Sequence, residues 1–475
     1  MRLATFLVIL IGVGLLACSG AAPTQIDSTP AFNARDNALV TRSIPTIVIG
    51  PTSVPTATPV PEPTPVPTAI PVPEPTPVPT AVVIAKYSFP AESSSTKLTN
   101  GLSTKSKKFG ISVAIDGDTI ITGDSNDSFE GTDSGSASVF NISSDTWIQQ
   151  AQITADDIYQ GYLFGEAVDI DGDTAVIGAT GGAKGAVYVF VLRNGIWAQE
   201  AKLVDLATDS SAQFGKSVAI SGNTMVVGAP TDNAPETSSG SAFVFTRTDD
   251  VWGKVAQLAP SGRIYTLKNN RFGESVAIDS ERIYVGAQGD SSTNGTDSGA
   301  VYVFTLSDGS WVEEAKLHAS DGDGGDNFGH SISVFNDTLV VGAPADDSNG
   351  TDSGATYVFV RNATGEWNEE VKLIASEGAY DDNFGWSVAV GADVAIVGAL
   401  YANANGSDSG SLYTYNRTGT NWSESSILTG TGTTSNDRLG TSVSISGNVA
   451  VTGAPGYTEK AKEIGSIHVF TAQLR

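Results

Sequence analysis

Carboxylates are the residues best equipped to do chemistry in this chain. Asp321, Asp323 and Asp326 fall within one Asp-Gly-Asp-Gly-Gly-Asp run, where carboxylate and backbone oxygens spaced by glycine can chelate calcium. Asp346, Asp347 and Asp352 follow in the next acidic segment, and Asp290 and Asp297 stand in a similar one upstream. Asn-Gly-Thr-Asp-Ser-Gly recurs in these segments, at Asn294 and Asn349, with Asn405-Gly-Ser-Asp-Ser-Gly close to it. Asp, Asn and Gly also build tight turns and cap backbone amides, so each segment reads either as a calcium site or as turn chemistry. Calcium is the one cofactor the sequence suggests. Trp386 and Tyr401 are candidate ligand contacts, because neither belongs to a series repeated along the chain.

Other chemistry has little material. One Cys and three His exclude a cysteine-cluster metal site and leave little for imidazole zinc or general-base work. No Ser/His/Asp or paired-carboxylate set stands out. The 52 acidic residues against 26 basic ones give a net charge of −26, which argues against nucleic acid or an anionic membrane surface as partner. At 40% apolar residues the chain can bury a large core, and its 52 glycines point to β structure with many turns.

The N-terminus predicts an anchor. Arg2 precedes an apolar run of 14 residues, Leu3 to Leu16, too short to span a bilayer but right for a signal peptide. Leu15-Leu16-Ala17-Cys18 resembles the lipobox of bacterial lipoproteins, and the only cysteine of the chain sits at the position that motif requires. The resemblance implies that residues 1–17 are removed and that Cys18 carries acyl groups, which make a membrane the first partner. It places the protein in the bacterial cell envelope, at the surface or in the periplasm. Residues 18–44 are polar and patternless. Residues 45–81 hold 13 prolines and the decamer Val-Pro-Glu-Pro-Thr-Pro-Val-Pro-Thr-Ala twice, which suits a semi-rigid polyproline stalk.

Residues 82–475 are one unit repeated seven times. Phe-Gly or Leu-Gly opens each repeat, at Phe109, Phe164, Phe214, Phe272, Phe328, Phe384 and Leu439. A glycine follows 14 residues later in every case, and a second glycine lies five residues before an aromatic residue. Six repeats then place a tryptophan seven or eight residues beyond that aromatic. Each unit reads as four short strands rich in Val, Ile and aromatics and bounded by Gly, Asp and Asn turns. The expected fold is all-β, a seven-bladed propeller of four-stranded blades. The seventh repeat lacks a tryptophan-bearing fourth strand. Val82–Phe89 resembles the Ala-Lys-Leu strands of the other repeats, and is expected to pair into the last blade and close the ring.

Phe328-Gly329-His330-Ser331, followed by Val340-Val341-Gly342-Ala343-Pro344, resembles the FG-GAP repeat of integrin α-subunit propellers and their bacterial relatives. In that family a nine-residue calcium motif sits in several connections between the first and second strands. Here those connections, such as Asp116-Gly117-Asp118, are too short to wrap an ion.

Alternating strand direction puts the acidic segments, Trp386 and Tyr401 on one face, made by the loops after the second and fourth strands. The six equivalent tryptophans read as packing. Directly after each Phe-Gly the residue varies, and His330 stands where sister repeats have Ile, Glu, Lys, Trp or Thr. The favoured function is a lipid-anchored surface module of the adhesion type, presenting this face to a protein or glycan ligand without catalysis. The alternative is a propeller enzyme acting on glycans, a lyase or hydrolase using loop carboxylates.

Overall fold

In the computed structural model residues 86–474 are described, apart from 91–93, 102–107, 206–207, 210, 234–236, 261–267, 292–293 and 460–461. Cys18 and the stalk lie outside the described residues. Seven four-stranded antiparallel sheets follow one another in chain order. Blade 3 is representative: Ser217–Ser221, Thr224–Ala229, Ser241–Thr248 and Val251–Leu258 run from inside to outside. The fold is an all-β seven-bladed propeller.

The repeated residues earn their places at the joints between blades. The first glycine of each pair lies against the next blade: a methyl on Gly342 would sit 1.9 Å from the carbonyl oxygen of Gly385. Gly385 itself adopts φ +91, a conformation that favours glycine. In six blades an innermost-strand serine donates to that same carbonyl, as Ser331 does to Gly385 O at 2.8 Å. Ser442 donates to Gly110 O at 3.0 Å and so links the last blade to the first. The second glycine of each repeat makes a parallel bridge to the Phe or Leu that opens the next, from Gly135↔Phe164 round to Phe109↔Gly465. Phe328 is fully buried and meets Tyr357 and Phe359 edge-on, at 5.5 and 5.9 Å between ring centroids. Losing such a ring costs about 3–5 kcal/mol.

As expected, an N-terminal strand pairs into the last blade and closes the ring, but it lies further along the chain than Val82–Phe89. Thr96–Leu98 is the outermost strand of the last blade, with Thr96 opposite Val469 and Leu98 opposite Ile467. Of the expected segment, Tyr87–Ser88 pairs instead with Gln473–Leu474 in a separate two-stranded sheet, and residues 82–85 lie outside the described residues. Spacing explains the difference. Phe109 lies eleven positions after Leu98, as Phe214 does after Leu203 and Phe328 after Leu317. Phe89 is fully buried among Ile396, Leu412, Leu428, Ala450 and Phe470, so the segment before the strand also contributes to the core.

The tryptophans are packing groups. Trp147, Trp197, Trp252 and Trp422 are buried, and three of these four reach back to the preceding blade. Trp197 Nε1 donates to Gln150, Trp252 Nε1 to Glu200 and Trp422 Nε1 to Glu370.

Candidate functional site

Loops after the second and fourth strands share one face, as their cross-blade hydrogen bonds record. Gly161 N donates to Thr132 O, Asp381 N to Thr351 O and Asn436 N to Ser407 O. The Asn-Gly-Thr-Asp-Ser-Gly segments owe their recurrence to this joint. Asn294 and Asn349 donate to Ala319 O and Ala375 O at 2.8 and 2.9 Å, tying each loop to the next. Asp297, Asp352 and Asp408 of the same segments adopt φ of 55, 52 and 53, a left-handed turn that Asp tolerates.

The acidic candidates separate into distinct arrangements. Asp321 and Asp346 meet around one ammonium: Lys372 Nζ lies 2.9 Å from Asp321 Oδ2 and 2.8 Å from Asp346 Oδ2. Tyr357 O–H faces both carboxylates at 2.8 and 2.9 Å. Burial raises both carboxyls, but the hydrogen bonds from Lys372 and their other donors outweigh it and hold them below the ordinary carboxylate range. Asp326 turns away and accepts from Asp323 N at 2.7 Å, and burial pushes it up to about 6. Asp323 and Asp347 are exposed, and Asp347 Oδ1 accepts from Asp352 N at 2.9 Å. Asp290 is buried against Tyr302, Lys316 and Asn270. Tyr401 lies under the Arg438 guanidinium, 5.6 Å from its ring centroid. Among the described residues no three Asp, Glu, His or Cys side chains converge on a metal position.

A different site emerges where the central channel opens on this face. Seven equivalent residues, each directly after a Phe-Gly or Leu-Gly pair, line its mouth: Ile111, Glu166, Lys216, Glu274, His330, Trp386 and Thr441. Their neighbours are almost uniform, a glycine before and a serine after (Ala167 in blade 2), because those positions hold the blades together. The mouth residues do not repeat in that way. One arc is charged and internally paired, Lys216 with Glu166 at 3.1 Å and Arg271 with Glu274 at 3.1 Å. The opposite arc is aromatic, with the His330 and Trp386 rings 4.5 Å apart. His330 Nδ1 lies 2.7 Å from Gln288 Oε1. Burial, with the charges of Lys216 and Arg271, lowers the His330 pKa to about 4, so the ring is neutral at pH 7.

Gln288 and Arg271 also line a cleft of about 440 Å³ between blades 3 and 4, with Thr231, Ser238, Asn269, Asn327 and Asp297. Of the sequence candidates, the structure brings Trp386 to the mouth and Asp297 to this cleft. Glu166, Lys216, Glu274, Arg271 and Gln288 were not singled out by type, since none belongs to a catalytic or metal motif. For Glu166, Lys216 and Glu274 the signal is positional, a variable residue inside an otherwise nearly fixed Phe-Gly-X-Ser frame; Arg271 and Gln288 lie outside that frame.

Deeper in the channel, Val113, Val168, Val218, Val276, Ile332, Val388 and Val443 form an aliphatic ring. Asp169 follows it, accepting from Ile220 N of the next blade at 2.8 Å. Burial raises its carboxyl to about 7, against the pull of that hydrogen bond.

The sequence profile of the FG-GAP repeat matches residues 93–140, 147–190, 197–245, 252–304, 311–359, 367–415 and 422–470. The chain belongs to the FG-GAP repeat family. Each matched FG-GAP unit runs from an outer strand into the following blade's first three strands, and the first begins at residue 93, ahead of Thr96–Leu98. Ring closure is therefore written into the repeat itself. Among curated proteins no sequence relative matches the chain.

Proposed function

We propose that this FG-GAP propeller is a non-catalytic binding module that takes a protein or glycan ligand at the channel mouth on its loop face. Acyl groups on Cys18 hold it to the bacterial envelope. The observation that carries this reading is the asymmetry of the mouth. Seven positions equivalent by fold hold six residue types, while flanking residues needed for blade packing stay nearly constant. Packing does not fix these positions, so they are free to be shaped to a ligand, and they combine paired charges with an aromatic pair in one concave opening. Binding is favoured over catalysis because Glu166 and Glu274 are each tied to a cation, so neither is poised as a free general base.

The test is capture of surface proteins and glycans by the full-length protein, compared with a Trp386→Ala, Lys216→Met double variant. Retention by the native chain and loss by a folded variant is the expected result. Equal retention by both would move the ligand away from the mouth. Cys18→Ser should shift the protein from the membrane to the soluble fraction; a variant that stays in the membrane fraction would refute the anchor.

A further inference from the structure

We propose that the ligand of this mouth is the end of an uncharged glycan, with one pyranose ring against Trp386 and its hydroxyls held by Gln288 and the two ion pairs. This inference rests on the binding reading above and narrows it to one class of ligand.

Charge balance is the first argument. Lys216 is already matched by Glu166, and Arg271 by Glu274. A charged ligand would have to displace one partner and leave it uncompensated in a half-buried site. A sugar hydroxyl both donates and accepts, so a vicinal pair can bridge a carboxylate and its cation without disturbing either charge. The excess of acid over the whole chain, −26, repels uronic or sulfated sugars further.

Shape and lining give the second argument. Trp386 is half-buried at the mouth, with His330 packed beside it at 4.5 Å, so its indole is held as a fixed apolar platform. The cleft is joined to the mouth residues through the Arg271–Glu274 pair and the Gln288–His330 contact, and it is lined by hydroxyl, amide and charged side chains with no aliphatic or aromatic one among them. A peptide ligand would find no apolar pocket there for an anchoring side chain. A second sugar residue would find amides and hydroxyls such as Asn269, Asn327 and Ser238. A platform beside a polar cleft is the pattern that a chain of pyranose rings satisfies.

The experiment applies full-length protein to immobilised oligosaccharides, neutral glucans, mannans, galactans and chito-oligomers beside uronate and sulfated ones. The best binder is then titrated by calorimetry against the native chain, Trp386→Ala and Lys216→Met. Neutral oligosaccharides should be retained. Each variant, shown folded by its melting curve, should bind about tenfold more weakly or worse. Affinity should change less than about twofold between roughly 50 and 500 mM NaCl. Retention of anionic glycans alone, or of none, overturns the proposal, as does full affinity in both folded variants. Loss of protein capture in Trp386→Ala alongside no glycan binding would leave the mouth as a binding site and remove only its assignment to sugars.

Discussion

At Lys372 one ammonium balances two carboxylates, and that single residue changes what the acidic loops can do. Asp321 and Asp346 already have a cation between them, and Asp326 is spent on the backbone of Asp323. Calcium at a hundred times the dissociation constant of a genuine site would add about 2.7 kcal/mol. The expected melting shift between calcium and chelator is near zero, and a rise of several degrees in calcium would restore the metal reading. Lys372→Met leaves Asp346, 4% exposed at its side chain, without its ammonium, and should cost about 3 kcal/mol by denaturant unfolding. Asp169 makes the opposite prediction for pH. Its folded pKa is about 7, above the value of an unfolded Asp, so the folded state binds the extra proton. That advantage is complete below about pH 4 and is lost progressively as pH rises to about 7. Asp169→Asn keeps an acceptor for Ile220 N and should raise stability at pH 8 by on the order of 2 kcal/mol, screened by channel solvent, with no gain at pH 4. An equal gain at both pH values would show that the carboxylate is not titrating in that window.

At the level of strands and joints, the propeller was legible because its repeats mark the same physical contacts seven times. The Phe-Gly pair, the glycine 14 residues on and the tryptophan all proved to be interblade or packing contacts. The closing strand was misplaced because Ala85-Lys86-Tyr87 matched by composition, while Thr96-Lys97-Leu98 matched by its eleven-residue distance to Phe109. Spacing within a repeat is set by backbone geometry, and composition is not, so spacing was the better guide. The mouth was harder to read, since Glu166 and Lys216 pair across neighbouring repeats, and the His330–Trp386 contact likewise joins residues of different repeats. Two tests follow at this scale. Deleting residues through Phe89 removes a fully buried ring and should cost about 3–5 kcal/mol. Deleting through Leu98 also strips the outer strand from the last blade, and should abolish cooperative unfolding. Similar melts for the two truncations would contradict the assigned closure. Gly342→Ala should be far more damaging than Gly309→Ala. The first puts a methyl 1.9 Å from a backbone oxygen, whereas the second, at φ +77, meets nothing within 4 Å and should cost only about 1 kcal/mol.

For the whole molecule, the net charge of −26 is unevenly placed. Basic residues are drawn inward as partners: Lys316 with Asp290, Lys372 with Asp346, Arg417 with Glu370 and Arg282 with Glu314. What remains at the surface is largely acid, and Asp297, Asp323, Asp347 and Asp381 are exposed on the loop face. The mouth lies within this negative field yet is itself balanced, so the field selects against anionic ligands at a distance without setting the affinity of a neutral one. Uncompensated surface charge also opposes compaction, and salt screens it over a Debye length of about 10 Å at 0.1 M. Raising NaCl from roughly 20 to 500 mM should therefore increase the melting temperature, most steeply below about 0.1 M where the Debye length changes fastest. The buried pairs are screened much less and should not reverse the trend. A melting temperature that falls with salt would mean that attractive surface ion pairs, rather than repulsion among loop aspartates, dominate the electrostatics of the propeller.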